Sequence, residues 1–227
     1  MRALEKMRVE SDLATLTFAE DQIAHFDKRL ADWAAHDPRV TRLLQITGVG
    51  LVCAVTLLAA IGDIHRFPSA KQLVGYSGLG ARIHDSGLTT RTGGITKAGR
   101  KDIRAVLVEA AQTAVIHDPH WKAELKRLEP RTGRNKAIVA IARKMLELVW
   151  HLLTKETVDR RADPERLARK YLEFAYAMET AQRGKLARDF VRERLDLLGV
   201  GAEMAFFRQG RRRVPLPPSR RPAPSAT

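Results

Sequence analysis

The sequence predicts a mainly α fold. An N-terminal coiled-coil-like helix is followed by a helical domain containing a helix-hairpin-helix and a basic Ser/Gly loop. Three observations predict it. Residues 4 to 34 hold no Gly or Pro, and Leu13, Leu16, Ile23, Phe26, Leu30 and Trp33 recur at three- and four-residue steps for most of that length. Such spacing lays them along one helical stripe. Two apolar segments flank Gly48-Val49-Gly50, and Ile103, Val106, Leu107, Ala110, Ala111 and Ala114 follow the 3.6-residue period from about Arg100 to Ile116.

The first helix stops at Asp37-Pro38, because proline disfavours helical backbone in the residue before it. Its narrow stripe, flanked by charges, suits a helical hairpin arm or a coiled-coil strand and predicts a homodimer through this helix. The competing expectation is that the stripe folds back onto residues 137 to 153. Val40 to Ile46 reads as a short helix, Gly48-Val49-Gly50 as a tight turn, and Leu51 to Ile61 as a second helix. Glycines permit positive φ and let a phosphate approach the N–H groups at the start of that second helix. Gly48, Val49 and Gly50 are therefore candidate DNA-binding positions, touching backbone without reading sequence. The other reading is a tight helical turn inside a core.

Ser69 is a suitable N-cap for a helix over Ala70 to Tyr76, which Gly78-Leu79-Gly80 stops. Ala81 to Gly94 is a polar loop in which Thr89 to Thr92 with Ile83 could form a short β-hairpin. Arg100, Lys101 and Arg104 then crowd the first turns of the next helix, where the helix dipole prefers anions. An outside anion such as phosphate would resolve that conflict. A charged helix follows to Leu128, a basic turn at Gly133 to Lys136, and an apolar helix over Ala137 to Leu153. Pro164 to Leu198 reads as one more charged helical region. From Arg208 the chain is Arg- and Pro-rich without acids, which predicts a disordered tail with non-specific affinity for polyanions. The expected divisions are 1–37, 38–155, 156–207 and 208–227.

Lys and Arg number 40 against 26 Asp and Glu, a net charge of +14, and such a surplus favours nucleic acid or an anionic membrane. Aromatic residues make up only 6%, which argues against stacking platforms as the main binding device. The single cysteine, Cys53, lies in the apolar run and reads as a buried hydrophobe; it excludes an internal disulfide and fits a reducing cytoplasm. The N-terminus is charged throughout, unlike a signal peptide, and the longest apolar segment is too short to span a bilayer. The expected setting is cytoplasmic, with no membrane partner.

Asp63, Asp85 and Asp102 read as turn or loop residues, and His117 with His120 as a helix end, so no metal site is expected. Gly94 to Lys101 superficially matches G-x-x-x-x-G, but Arg100-Lys101 replaces Lys-Ser/Thr and no β-rich segment is expected before it, which excludes a P-loop. Ser86 is the candidate nucleophile. It sits in a Gly-bounded loop with Arg82, Arg91, Lys97, Arg100 and Arg104 close in sequence. A serine attacks phosphorus only when activated and when the phosphate charge is neutralised; those cations supply the second condition. Ordinary Ser-Gly turn chemistry is the other reading.

The run I-T-G-V-G, then A-x-x-x-L-A-A-I-G-D-I-x-R-F-P-S-A-K-Q-L-x-x-Y-S-G-L, then S-G-x-x-x-R-x-G-x-I-T-K-x-G, closely resembles one known domain. It is the C-terminal transposase domain of the IS-one-ten group of bacterial insertion sequences, the DEDD/serine recombinases guided by a bridge RNA. The resemblance is dense over about residues 40 to 118, weaker over 119 to 155, and absent from 156 to 227. It implies that Ser86 forms transient 5′-phosphoserine links and that Arg91, Lys97 and Arg100 contact phosphate. It also implies an N-terminal RuvC-like domain whose acidic tetrad binds Mg²⁺. Residues 1 to 35 resemble the coiled-coil segment that follows such a domain, and no acidic tetrad is present here, so no cofactor is expected in this chain. The implied partners are duplex or branched DNA, a bridge RNA, and further copies of the chain as a homodimer or a higher assembly on DNA. Two functions stay open: a transposase or recombinase domain supporting DNA transposition, truncated relative to the full enzyme, and a non-catalytic helix-hairpin-helix module that only binds DNA.

Overall fold

The computed structural model describes residues 3–86, 89–178 and 187–221, the side chains of 83–93 excepted. The elements in order are α1 (Ala3–Ala34), α2 (Pro38–Leu43), α3 (Leu51–Ile61), α4 (Ala70–Ser77), β1 (Ala81–Ser86), β2 (Thr89–Ile95) and α5 (Lys101–His117). Then come α6 (Pro119–Thr132), α7 (Arg134–Lys155), α8 (Pro164–Ala177), α9 (Ala187–Leu198), β3 (Phe206–Gln209) and β4 (Arg212–Pro215). The fold is mainly α, as the sequence predicts.

Asp-Pro dipeptides punctuate it. Asp37, Asp118 and Asp163 each accept the N–H two residues on, at 2.9 to 3.0 Å, and each is followed by proline at the first helical position. The carboxylate satisfies an orphan donor while proline, lacking an N–H, costs the helix nothing there. Each dipeptide thus ends one segment and starts α2, α6 or α8.

The core gathers around α7. Its Ala137, Ile141, Ala142, Met145, Leu146 and Val149 are sealed from solvent, with α2, α4, α5 and α6 packed on it and α3 packed on α5. Trp150 donates its indole N–H to the Phe67 carbonyl at 2.8 Å, tying α7 to the 3₁₀ turn at Ile64–Arg66. Helices α8 and α9 pack together and lie against α1, α2 and the turn that follows α2.

Helix α1 leaves this body. Only its last turn is buried, at Ala31, Asp32 and Ala34. Leu13, Leu16, Ile23 and Phe26 are 54–62% exposed, so the stripe does not fold back onto residues 137 to 153. Pro164 to Leu198 is helical as expected, over α8 and α9, with residues 179–186 outside the described chain. One further expectation changes. The segment from Arg208 continues the antiparallel β3–β4 pair instead of fraying. Gly210 turns it at φ +59°, and Phe207 and Leu216 are buried beneath it. Burying those apolar groups offsets the ordering cost that the Arg/Pro composition suggested would prevail. Residues from 222 lie outside the described chain.

Strands β1 and β2 also form an antiparallel hairpin, pairing Ile83 with Thr92 and Ser86 with Thr89. The segment before Gly94 is therefore β after all; the missing Lys-Ser/Thr alone excludes a P-loop. No helix among the described residues is long and apolar enough to cross a membrane.

Candidate nucleic-acid interface

Two glycine-bearing stretches were candidates for phosphate contact, and their surroundings differ. The first is the turn between α2 and α3. Gly48 has φ +89°, and a Cβ there would lie 2.1 Å from the Ala110 carbonyl oxygen of α5. Val49 is fully buried, and only Gly50, the residue that opens α3, is exposed. The carbonyls of the turn are occupied. Lys170 of α8 donates to Leu44, Ile46 and Val49 at 2.7 to 2.8 Å, using all three N–H bonds of its ammonium. Burial, aided by the Arg166 charge, pushes this lysine down to about 8, so it is still mostly charged at neutral pH.

A buried polar network backs the turn. The Thr47 hydroxyl donates to Asp118 at 2.8 Å, and Arg166 of α8 reaches both groups. Burial raises the Asp118 carboxyl, but the Thr47 hydroxyl, the His120 N–H and Arg166 outweigh it and hold the group below its ordinary value. Gln45 accepts the Asp159 N–H at 2.7 Å, and the Tyr171 hydroxyl donates to the Thr41 carbonyl at 2.9 Å. In front of α3 is a cleft of 250 Å³ whose lining includes Asp27 and Glu173. A phosphate placed there would face those carboxylates while Lys170 is engaged elsewhere.

The second stretch is the base of the β1–β2 hairpin. Backbone meets backbone here: a Cβ on Gly99 would lie 2.2 Å from the Tyr76 carbonyl oxygen, and one on Gly78 would lie 2.7 Å from that of Ala98. The glycines of Y-S-G-L and T-K-x-G are thus contact points between the end of α4 and the approach to α5. Arg104 fastens the junction, donating to the Ser77 carbonyl at 2.8 Å and to that of Gly99 at 3.2 Å. Arg100 pairs with Asp102 through Nε at 3.1 Å, which raises the guanidinium further and lowers the carboxyl. The internal acid answers part of the conflict posed by cations at this helix start. Arg82 is exposed, with one 3.4 Å contact to the Thr96 carbonyl. Lys97 is exposed too, held at φ +56° by its N–H on the Gly78 carbonyl at 3.1 Å.

Ser86 is the last described residue of β1, beside the tip of the hairpin; its side chain and that of Arg91 lie outside the described residues. The backbone brings Ser86, Arg82, Arg91 and Lys97 onto one hairpin and sets Arg100 and Arg104 at its root. The turn of Gly48 to Gly50 is on other elements, between α5 and α8. Among the described residues no group of three His, Cys, Asp or Glu side chains could hold a metal ion. Cys53 is held by its surroundings: burial pushes its thiol up to about 12 and its Sγ faces the Val106 carbonyl at 3.7 Å.

Sequence reasoning missed several cations. Arg66 stacks 4.6 Å from the ring centres of both Phe67 and Tyr76, and together with Arg100 it pulls the Tyr76 hydroxyl down. Lys136 and Arg143 of α7 flank the hairpin base across a cleft shared with Lys97. Their signal was the basic turn Gly133 to Lys136, which had no assigned neighbour.

Residues 40–126 match the model of the transposase IS116/IS110/IS902 family. The chain is 33% identical over 141 residues to a transposase for insertion sequence element IS1111A of Coxiella burnetii, covering 60% of this chain and 39% of that protein. It is 28% identical over 152 residues to a transposase for insertion sequence element IS1328 of Yersinia enterocolitica, covering 61% and 42%. A pilin gene-inverting protein of Moraxella bovis is 34% identical over 118 residues, covering 51% and 37%. The chain thus spans about two fifths of the length of these curated relatives.

Proposed function

We propose that this chain, whose residues 40–126 match the IS116/IS110/IS902 transposase model, serves DNA transposition as the serine-bearing part of a recombinase of that family. The observation that carries the reading beyond membership is the place of Ser86, next to the tip of a hairpin whose arms and root bear Arg82, Lys97 and Arg100. In the proposed step the Ser86 Oγ–P bond forms as the P–O3′ bond of one DNA strand breaks. The serine loses its proton, the 3′ oxygen leaves as a hydroxyl, and the 5′ phosphate stays on the protein. Arg82, Arg91, Lys97 and Arg100 would neutralise phosphate charge and position the strand without reading its bases. Gly50 is the one residue of the α2–α3 turn exposed enough to add a backbone contact. A Mg²⁺-binding acidic domain and a bridge RNA, which the family resemblance implies, would complete the reaction.

Pairing of two chains through the exposed stripe of α1 would bring two serines to one DNA. A stripe of this kind is stabilised by a second helix laid along it. Light scattering on the intact chain at tens of micromolar should give a dimer, and a form lacking residues 1–36 should give a monomer. For the chemistry, a nicked suicide substrate should trap a covalent protein–DNA adduct when a RuvC-like partner is added in trans. Ser86→Ala should form none. An adduct that survives Ser86→Ala would overturn the assignment of the nucleophile to Ser86, and no adduct with the wild-type chain would leave the non-catalytic DNA-binding module as the function.

A further inference from the structure

We propose that the cleft between the base of the β1–β2 hairpin and the first turns of α7 holds one unpaired nucleotide of the DNA strand that runs to Ser86. The inference deepens the transposase reading and rests on it. The cleft measures 490 Å³, within the range of small-molecule sites. Its walls are apolar, from Leu79, Ile95, Val139 and Ala140, while Lys97 and Lys136 supply cations beside Arg143, whose Nε is paired with Glu147 at 3.2 Å, and no carboxylate is among its described lining residues. Apolar walls and several cations in one cleft call for a ligand with an apolar face joined to an anion. A stacked duplex offers phosphates and base edges but keeps its base faces covered. A nucleotide lifted out of the stack offers both, and enzymes that handle such nucleotides seat the base between apolar side chains.

Two features of the backbone converge on this cleft. Lys97 keeps a left-handed φ of +56°, although it carries a Cβ, because its N–H is anchored on Gly78 and the Thr96 N–H on Gly80. Strain held in this way concentrates at ligand clamps. The β1–β2 register also shifts between Ala81 and Ile83, and such irregularities re-aim side chains beside functional sites. From Ala81 to Ser86 is five strand steps, about 17 Å at about 3.4 Å per residue. A nucleotide in the cleft would be a few positions along the strand from the one at Ser86.

The test compares fluorescence anisotropy of a single-stranded DNA oligonucleotide with the same oligonucleotide carrying abasic sites, using the full chain. Phosphate number is identical, so charge alone predicts equal affinity. The cleft predicts about tenfold tighter binding of the base-bearing strand, the scale of one buried base contact. Ala140→Leu, at a half-buried position, should lower that binding to the abasic level and leave duplex affinity unchanged. Equal affinity of the wild-type chain for both oligonucleotides would overturn the proposal, and because it needs no variant, a misfolded mutant cannot mask it. Tighter binding of the RNA equivalent would overturn the assignment to DNA. Duplex binding without base preference removes the cleft alone; failure to bind duplex or single strand removes the transposase reading as well.

Discussion

The turn at residues 44–50 and the base of the β1–β2 hairpin look alike in sequence, each a glycine-bearing stretch within a strongly basic chain. In the folded protein the turn's groups are used inside. Gly48 is pressed on α5, Val49 is buried, and its carbonyls are bound by Lys170. At the hairpin base Arg104 is turned onto backbone carbonyls and Arg100 is paired with Asp102, while Arg82 and Lys97 remain exposed. Positive charge is therefore a poor guide to where a phosphate lands. What matters is whether a cation's donors are already taken, and that depends on contacts distant in sequence.

The largest effect should come from adding a side chain where the turn meets α5. Gly48→Val combines a φ of +89° with a Cβ 2.1 Å from the Ala110 carbonyl oxygen, and the neighbour is backbone that cannot swing aside. Strain at such a φ costs about 1–3 kcal/mol before the clash is counted, so the loss should exceed ~4 kcal/mol or prevent folding. Chemical denaturation would measure it. A Gly48→Val chain as stable as wild type would break the assignment of this turn to the core.

Next is the clasp from α8. Lys170→Met keeps the apolar stem but removes the donors from Leu44, Ile46 and Val49, and should cost on the order of 3 kcal/mol. Lys170→Arg should recover part of it. Asp118 supplies a pH test of the same region. Its folded carboxyl is held below the ordinary 3.8, so its contribution is present above the unfolded value and lost as pH falls through the folded one. Asp118→Asn keeps the helix cap, since asparagine caps as well as aspartate, but removes the charge facing Arg166. The variant should be less stable than wild type at neutral pH, and the gap should narrow below about pH 4 in urea unfolding. A gap constant across pH would show that the charge contributes nothing.

Much of the fold was legible from residues alone. Asp37-Pro38, Gly78, the apolar segments of α3 and α7 and the apolar period of α5 mark helices that the structure places within a few residues. Those signals are local. The clasp was not legible because Lys170 sits about 120 positions from its acceptors and looks, in sequence, like any lysine on a charged helix. The β3–β4 hairpin was hidden for another reason: composition dominated the reading, whereas Phe207 and Leu216 are buried in a fold where α8 packs on β3. At the candidate site, the cations of the hairpin could be found by proximity to Ser86. Lys136 and Arg143 could not, since a 22-residue helix and its basic turn gave no sign of which loop they would face.

The smallest effect expected is also the one that separates the two stretches most sharply. Lys97 is exposed and its strained φ gains nothing from its side chain, so Lys97→Gly should leave stability unchanged or raise it by about 0.5–1 kcal/mol. The same substitution removes a cation at the hairpin base. If Lys97 contacts phosphate, binding should weaken by a similar factor for every duplex sequence, and the slope of log affinity against log salt should fall by about one. Lys170→Arg, tested beside it, should leave that slope unchanged, because a cation bound to carbonyls releases no counterion from DNA. An unchanged slope for Lys97→Gly, or a reduced one for Lys170→Arg, would reverse the assignment of outward and inward roles to these two lysines.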